Sequence, residues 1–155
     1  MCFTISPVQA DETYPLRAEV LLNGDEEACV LPRDDCPTTL HLAVRSSAGI
    51  VAVVSICEES PPSQRDSPAW RLRGMAVHSD VRGLGLGRLL VQLCVRYARE
   101  HEAAAIWCTA RESAQGFYEK LGFAADSPPI QMHGRTDMKF YVMRRQIARR
   151  PSGSL

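Results

Sequence analysis

The sequence predicts a mixed α+β fold, in which helices flank a central sheet of mixed but mostly antiparallel strands. Two β-rich runs, 38–45 and 50–57, are separated by four small residues, a spacing typical of an antiparallel hairpin. Apolar residues then recur at helical spacing over 87–101, and a short apolar strand follows at 104–108. This order differs from the regular strand–helix alternation of a parallel α/β fold, and it therefore favours the mixed class.

Local signals predict the remaining elements. A first helix is predicted over 11–22, and residues 70–77 alternate between two faces as a strand does. The segment Thr109–Glu112 matches a capping box, which predicts the start of a helix that ends at Gly122. A closing hairpin is predicted over 129–143.

Length and composition limit the function classes. A chain of 155 residues is one domain's worth of protein, so we expect a single domain over 1–147 and a flexible polar tail over 148–155. Eighteen basic and eighteen acidic residues give zero net charge, so we expect neither nucleic acid nor a membrane as a partner. The start of the chain does not resemble a secretory signal, and no apolar run reaches the ~18 residues of a membrane span.

The cysteines and histidines bear on metal binding and on the redox state of the thiols. The six cysteines include no Cys-x-x-Cys pair, and the four histidines are far apart in sequence. These spacings predict no metal site, and a start of the chain that does not resemble a secretory signal predicts reduced thiols and a cytoplasmic location.

The segment with most chemical content follows the 70–77 strand and leads into a helix. Its three glycines stand at alternate positions; they are Gly83, Gly85 and Gly87. Glycine lets the backbone approach a ligand closely, and the helix start that follows directs amides and a positive dipole at it, which suits a pyrophosphate. Arg88 interrupts the dinucleotide pattern, whereas Arg-x-x-Gly-x-Gly fits from Arg82. A turn without a ligand is the alternative.

Two stretches together carry a family resemblance. Residues 72–90 resemble the acetyl-CoA-binding core of the GNAT superfamily of N-acetyltransferases. Residues 112–123, which end in Phe-Tyr-Glu-Lys-Leu-Gly-Phe, resemble the second signature of that superfamily. The resemblance implies a GNAT-like sheet splayed between its two central strands, acetyl-CoA as cosubstrate with no metal, and acetyl transfer to a primary amine.

The resemblance also implies which residues hold acetyl-CoA. The backbone amides of the turn and helix start would hold the pyrophosphate; by position these residues are Arg82, Gly83, Leu84, Gly85, Leu86, Gly87 and Arg88. The preceding strand would offer Met75, Ala76 and Val77 to the pantetheine arm. We interpret Gly74 as a bulge or close backbone approach that helps the sheet to splay; a glycine merely tolerated in the strand is the alternative.

Catalytic candidates follow from the same resemblance and from the chemistry of acyl transfer. Tyr118 matches the tyrosine that commonly protonates the departing thiolate, and its phenol is protonated at neutral pH; simple packing is the alternative. The ammonium of the acceptor must lose a proton before it attacks. Glu58 and Glu59 are the candidate bases, with His78 or solvent as alternatives. An acetyl-cysteine on Cys57 or Cys108 is disfavoured, because buried cysteine usually acts as a small apolar residue.

One departure from the superfamily pattern concerns the second motif. Many members have an asparagine there that contacts the CoA arm, and residues 108–112 contain none. Thr109 is interpreted as a helix cap, and Arg111 is a candidate contact for a CoA phosphate. Two functions stay open: direct transfer in a ternary complex to an amine of a small molecule or peptide, or a non-catalytic acyl-CoA-binding regulatory module. A homodimer is also left open.

Overall fold

The computed structural model describes residues 2–21, 29–62, 67–125, 127–132 and 135–148. Within these ranges the chain forms eight strands and three α-helices, and the predicted mixed α+β class is confirmed. Of the tail predicted over 148–155, only the first residue lies inside the described part. None of the helices in that part has the length and apolarity needed to cross a bilayer.

The strands form one sheet. They are β1 (Thr4–Pro7), β2 (Leu40–Ser46), β3 (Gly49–Glu58), β4 (Ala69–Val77), β5 (Ala105–Arg111), β6 (Ala124–Ala125), β7 (Ile130–Met132) and β8 (Arg135–Gln146). The helices are α1 (Ala10–Leu21), α2 (Leu86–Glu100) and α3 (Gln115–Glu119). The order across the sheet is β1-β2-β3-β4-β5-β8-β6, with β7 paired to β8.

The pairing of β4 with β5 is short and parallel. It covers Ala69–Arg71 of β4 and Ala105–Trp107 of β5, the first three residues of each strand. The other registers that the structure describes are antiparallel. The described ladder between these two strands therefore covers three residues of each.

The chain divides into two compact units, which we describe separately. The first contains Met1–Glu58 and Leu72–Cys94, and the second contains Glu59–Arg71 and Val95–Leu155. A core cluster of the first unit comprises Leu16, Ala43, Val53 and Ala76. A core cluster of the second comprises Ala69, Ala105 and Trp107. The single domain over 1–147 stays a prediction.

Strand β4 contains a bulge relative to β3. The amide of Glu59 donates to the carbonyl of Ala69 at 3.2 Å, and the amide of His78 donates to the carbonyl of Val51 at 2.8 Å. Between these two hydrogen bonds β4 contains one residue more than β3, which is the signature of a β-bulge. Gly74 has a φ of 64°, in the left-handed region that favours glycine, so the bulge interpreted at this residue is confirmed.

The capping box predicted at Thr109–Glu112 is wrong. Strand β5 continues to Arg111, and Thr109 lies opposite Val142 of β8. A 3₁₀ turn over Glu112–Ala114 then precedes α3, and no side chain caps it by hydrogen bonding. Pairing with β8 therefore overrides the local helix signal. The predicted helix end is close to correct, because the chain turns at Gly122 with a φ of 88°.

Candidate active site

The glycine turn, residues 82–88, follows β4 and includes the first three residues of α2, all within the first unit. Before it, a 3₁₀ turn over Ser79–Val81 is capped by His78, whose Nδ1 accepts a hydrogen bond from the Asp80 amide at 3.1 Å. The Nε2 atom of His78 lies 3.7 Å from a carboxylate oxygen of Glu19. Val81 is buried and anchors the segment, whereas the next four residues are exposed. The turn is thus anchored at the buried Val81, while residues 82–85 are exposed to solvent.

Two residues of the glycine turn require the conformational freedom of glycine. Gly83 has a φ of 81° and Gly85 a φ of 82°, values that are strained for other residues. A Cβ built on either residue meets no atom within 4 Å. Glycine is therefore required here by the backbone conformation and not by a neighbouring atom, and the open space leaves the backbone accessible to a ligand.

The start of α2 supplies unpaired amides. The Leu89 amide donates to the carbonyl of Gly85 at 3.1 Å, which is the first hydrogen bond of the helix. The amides of Leu86, Gly87 and Arg88 precede this bond, so helix geometry gives them no partner within the helix. Together with the positive end of the helix dipole, these amides form an arrangement suited to a phosphate or pyrophosphate.

The end of β4 lies next to the glycine turn in the same unit. Ala76 is buried, whereas Met75 and Val77 on the opposite face are partly exposed. The Arg82 Nε donates to the carbonyl of Val77 at 3.3 Å, which ties the glycine turn to this strand. The residues predicted for the pantetheine arm and for the pyrophosphate are therefore linked by a direct hydrogen bond.

Tyr118 lies in the second unit, on the short helix α3. Its side chain is buried, and its ring makes edge contacts with Phe117 and Phe123 at centroid distances of 5.0 and 5.5 Å. The amides of Leu121 and Phe123 both donate to the carbonyl of Tyr118, at 3.0 and 3.1 Å. These contacts fix the orientation of the ring. They fit the packing interpretation, and the role in proton transfer stays a prediction.

The two candidate bases have different surroundings. Glu58 ends β3 in the first unit with an exposed side chain, and its carbonyl accepts a hydrogen bond from Arg33 at 2.9 Å. Glu59 belongs to the second unit, where its carboxylate accepts from Arg71 at 2.7 Å. The Arg71 guanidinium stacks over the Trp107 ring at 4.6 Å, and the indole N–H of Trp107 donates to the Glu59 carbonyl at 2.7 Å. Glu59 is therefore held in place from two sides.

Cys108, on β5, is a poor nucleophile. Its side chain is buried, and burial raises the pKa of the thiol to about 12, while the charge of Arg71 acts weakly in the opposite direction. Because the thiolate is the reactive form, this thiol is inert near neutral pH. Within the described ranges, no three His, Cys, Asp or Glu side chains lie together as a metal site would require.

The buried polar residues were not predicted from the sequence, and the largest of them is Arg17 of α1. It lies four residues after Thr13, and both side chains are at most 1% exposed. In the sequence the only signal is an arginine adjacent to Leu16 on the apolar side of a predicted helix. Arg17 donates hydrogen bonds to Asp34 and Ser55, which are far from it in sequence. The periodicity of a helix alone therefore does not predict this cluster.

The comparison with family models decides the class. The model of the acetyltransferase (GNAT) family matches residues 9–123, which include the end of β4, the glycine turn and α3. The chain belongs to the GNAT family of acetyltransferases. It is accordingly an acyltransferase that uses an acyl-CoA, and the predicted family and enzyme class are confirmed.

A relative and two solved structures resemble this GNAT chain over most of its length. The uncharacterized N-acetyltransferase YitI of Bacillus subtilis (strain 168) is 28% identical over 131 residues, which are 84% of this chain and 88% of YitI. The ribosomal-protein-S18-alanine N-acetyltransferase from Escherichia coli has a TM-score of 0.73 at 17% identity and covers 99% of both chains. An aminoglycoside 6′-N-acetyltransferase complexed with coenzyme A has a TM-score of 0.72 at 16% identity and covers 96% of this chain and 99% of its own. These structures share the fold.

We expect Cys108 to resist alkylation in the folded protein. At near-neutral pH, iodoacetamide should modify the exposed Cys2 rapidly and leave Cys108 unmodified, because thiolate forms at Cys108 only as the pH approaches about 12. Mass spectrometry of tryptic peptides measures both sites in one sample. Rapid modification of Cys108 in the native protein would show that the thiol is accessible and ionised, and would return it to the list of candidate nucleophiles.

Proposed function

We propose that this GNAT chain transfers the acetyl group of acetyl-CoA directly to a primary amine of a small molecule or peptide, in a complex that holds both substrates. The observation that carries the proposal is the glycine turn, where Gly83 and Gly85 adopt left-handed conformations with open space above them. The names of the two similar structures both specify N-acetyl transfer, which supports an amine as the acceptor.

The first unit would bind the cosubstrate. The amides of the glycine turn and of the α2 start donate to the pyrophosphate, and the backbone of Met75–Val77 lies along the pantetheine arm as a neighbouring strand would. A backbone amide of this stretch also donates to the thioester oxygen as negative charge develops on it. The bond from Arg82 to the Val77 carbonyl keeps these two sets of backbone groups in a fixed relation.

The residues that move protons complete the proposal. Acetyl-CoA supplies an activated thioester; the amine nitrogen forms the new bond to the acetyl carbon, and the carbon–sulfur bond breaks. Glu58 or Glu59 accepts the proton that the ammonium must lose, with His78 or solvent as the alternative. Tyr118 donates a proton to the departing sulfur, so that CoA leaves as a thiol, and the second proton lost by the amine nitrogen as the amide forms restores the phenol, directly or through solvent. Arg111 remains a candidate for a CoA phosphate. The six free cysteines support a cytoplasmic location.

A non-catalytic acyl-CoA-binding module is the alternative. A thiol-release screen with acetyl-CoA against amino acids, polyamines, aminoglycosides and peptide N-termini separates the two. An enzyme releases free CoA only when a suitable amine is present, whereas a binding module retains acetyl-CoA whichever amine is added. If acetyl-CoA binds and no amine of the panel yields free thiol, the regulatory module becomes the better description.

Replacement of Gly85 by alanine tests the proposed binding site. A methyl group there would occupy the open space above the backbone, so we expect the dissociation constant of coenzyme A to rise about tenfold or more, as measured by calorimetry. Gly49 is the matched control, since its φ is 108° and its Cβ position is also open, but it lies in the β2–β3 turn. Equal effects of Gly85→Ala and Gly49→Ala would indicate backbone strain rather than a lost contact.

Replacement of Tyr118 by phenylalanine tests the proton donor. We expect kcat to fall by about 10²-fold or more with little change in the KM for acetyl-CoA, because the phenol acts only as sulfur departs. Steady-state kinetics with the best acceptor of the screen measures both constants. Tyr97→Phe on α2 removes a hydroxyl outside the proposed site and should leave kcat unchanged. A wild-type kcat for Tyr118→Phe would reduce this residue to a packing role.

The pair Glu58→Gln and Glu59→Gln tests the candidate bases. The rate should rise with pH as the base loses its proton, and only the variant that lacks the base should lose this dependence together with most of its kcat/KM. Each variant serves as the control for the other, because glutamine preserves the side-chain shape. Wild-type pH profiles in both variants would exclude both carboxylates and leave His78 or solvent.

A further inference from the structure

Arg17, on α1, is the largest fully buried side chain among the described residues. Its Nη1 donates to the carbonyl of Cys29 at 2.9 Å and to Asp34 at 2.7 Å, and its Nη2 donates to Asp34 at 3.1 Å and to the Ser55 hydroxyl at 2.8 Å. Four of the five N–H donors of the guanidinium are thus used. The two-pronged bond to Asp34 fixes both the position and the plane of the group.

The partners of Arg17 are themselves held. His41 of β2 lies 2.6 Å from the Ser55 hydroxyl through Nδ1 and 2.8 Å from the Asp34 carbonyl through Nε2. The Leu31 amide donates to the Asp34 carboxylate at 2.8 Å. Arg17, Asp34, Ser55 and His41 are all buried. This cluster therefore forms a rigid polar support within the first unit.

The fifth donor of Arg17 faces the bulge of β4. A Cβ built on Gly74 would lie 2.7 Å from the Arg17 Nε and 3.2 Å from its Cζ, so the guanidinium packs directly on the bare Cα. The Nε atom is buried and has no hydrogen-bond partner among the described residues. A group held by four hydrogen bonds is thus packed against Gly74, the residue of β4 with a positive φ.

We propose that Arg17 is a positioning residue for acetyl-CoA: it fixes the bulge at Gly74 and thereby aims the backbone of Met75–Val77 at the pantetheine arm. A bulge re-aims the residues that follow it, and a shifted one would turn backbone donors and acceptors away from the ligand. The proposal rests on the proposed function. It predicts that a change at Arg17 affects the binding of the pantetheine arm and not that of the nucleotide end. The glycine turn, which would hold the nucleotide end, makes no contact with Arg17 that the structure describes.

The test compares two probes on Arg17→Lys, which keeps the charge and loses the planar fork. The probes are coenzyme A and 3′-phosphoadenosine 5′-diphosphate, the nucleotide end without the arm, each measured by calorimetry well below the unfolding temperature. We expect the affinity for coenzyme A to fall about tenfold and that for the nucleotide to change less than about twofold. Arg45→Lys, in the exposed pair with Glu12, is the control and should change neither.

The outcomes are separable. Equal losses for both probes, or no loss for coenzyme A, in folded Arg17→Lys would overturn the positioning role. A wild-type chain that binds neither probe would refute the proposed function itself. Should Arg17→Lys fail to fold, Ser55→Ala removes the 2.8 Å bond to Nη2, together with the 2.6 Å hydrogen bond between the hydroxyl and His41, and is judged by the same criteria.

Gly74→Ala approaches the same contact from the other side. The added methyl group would collide with the Arg17 guanidinium, so we expect the same selective loss of coenzyme A affinity. Gly49→Ala has similar backbone strain without a neighbour and should bind both probes as the wild type does. Wild-type affinity of folded Gly74→Ala for coenzyme A would overturn the proposal, since the bulge could then change without affecting the arm.

Discussion

The first unit depends on the buried charge of Arg17, which is paired with Asp34 and uses four of its five N–H donors. Removal of a guanidinium from water costs several kcal/mol unless charge and hydrogen bonds replace the lost solvent. Asp34 supplies the charge, while Ser55 and the Cys29 carbonyl take the remaining Nη protons. This compensation ties α1, β3 and the chain around Asp34 together. Loss of either partner leaves an unpaired buried charge, which is among the more destabilising changes a protein core undergoes, at about 3–5 kcal/mol.

Local backbone requirements were the most readable part of the sequence. The glycine turn could be predicted because residues with positive φ leave a direct trace in composition, as at Gly83 and Gly85. Gly74 could likewise be interpreted as a bulge. The packing of Arg17 against Gly74 could not be predicted, because the two residues are distant in sequence and no local pattern indicates their contact.

Predictions failed where a neighbouring strand decides the conformation. The Thr109 segment has the pattern of a helix start, yet hydrogen bonds to β8 extend β5 through it. The short strands β1 and β6 were missed, since two to four residues acquire their conformation from the strand beside them. Glu58 and Glu59 look equivalent in sequence and differ in structure, because among the described residues a guanidinium pairs with the carboxylate of Glu59, whereas Arg33 reaches only the main-chain carbonyl of Glu58. Each difference between prediction and structure arises from contacts with residues distant in sequence, which a local pattern does not contain.

The bare backbone of the glycine turn has an evolutionary consequence. Recognition by main-chain amides constrains conformation and leaves side-chain identities largely free, provided that glycine stays where φ is positive. Chains of this architecture can therefore drift far apart while they keep the same scaffold, in line with a TM-score of 0.73 at 17% identity. If the glycine turn holds the activated acyl carrier as proposed, selection for new acceptors can act on other surfaces of the molecule without altering that contact.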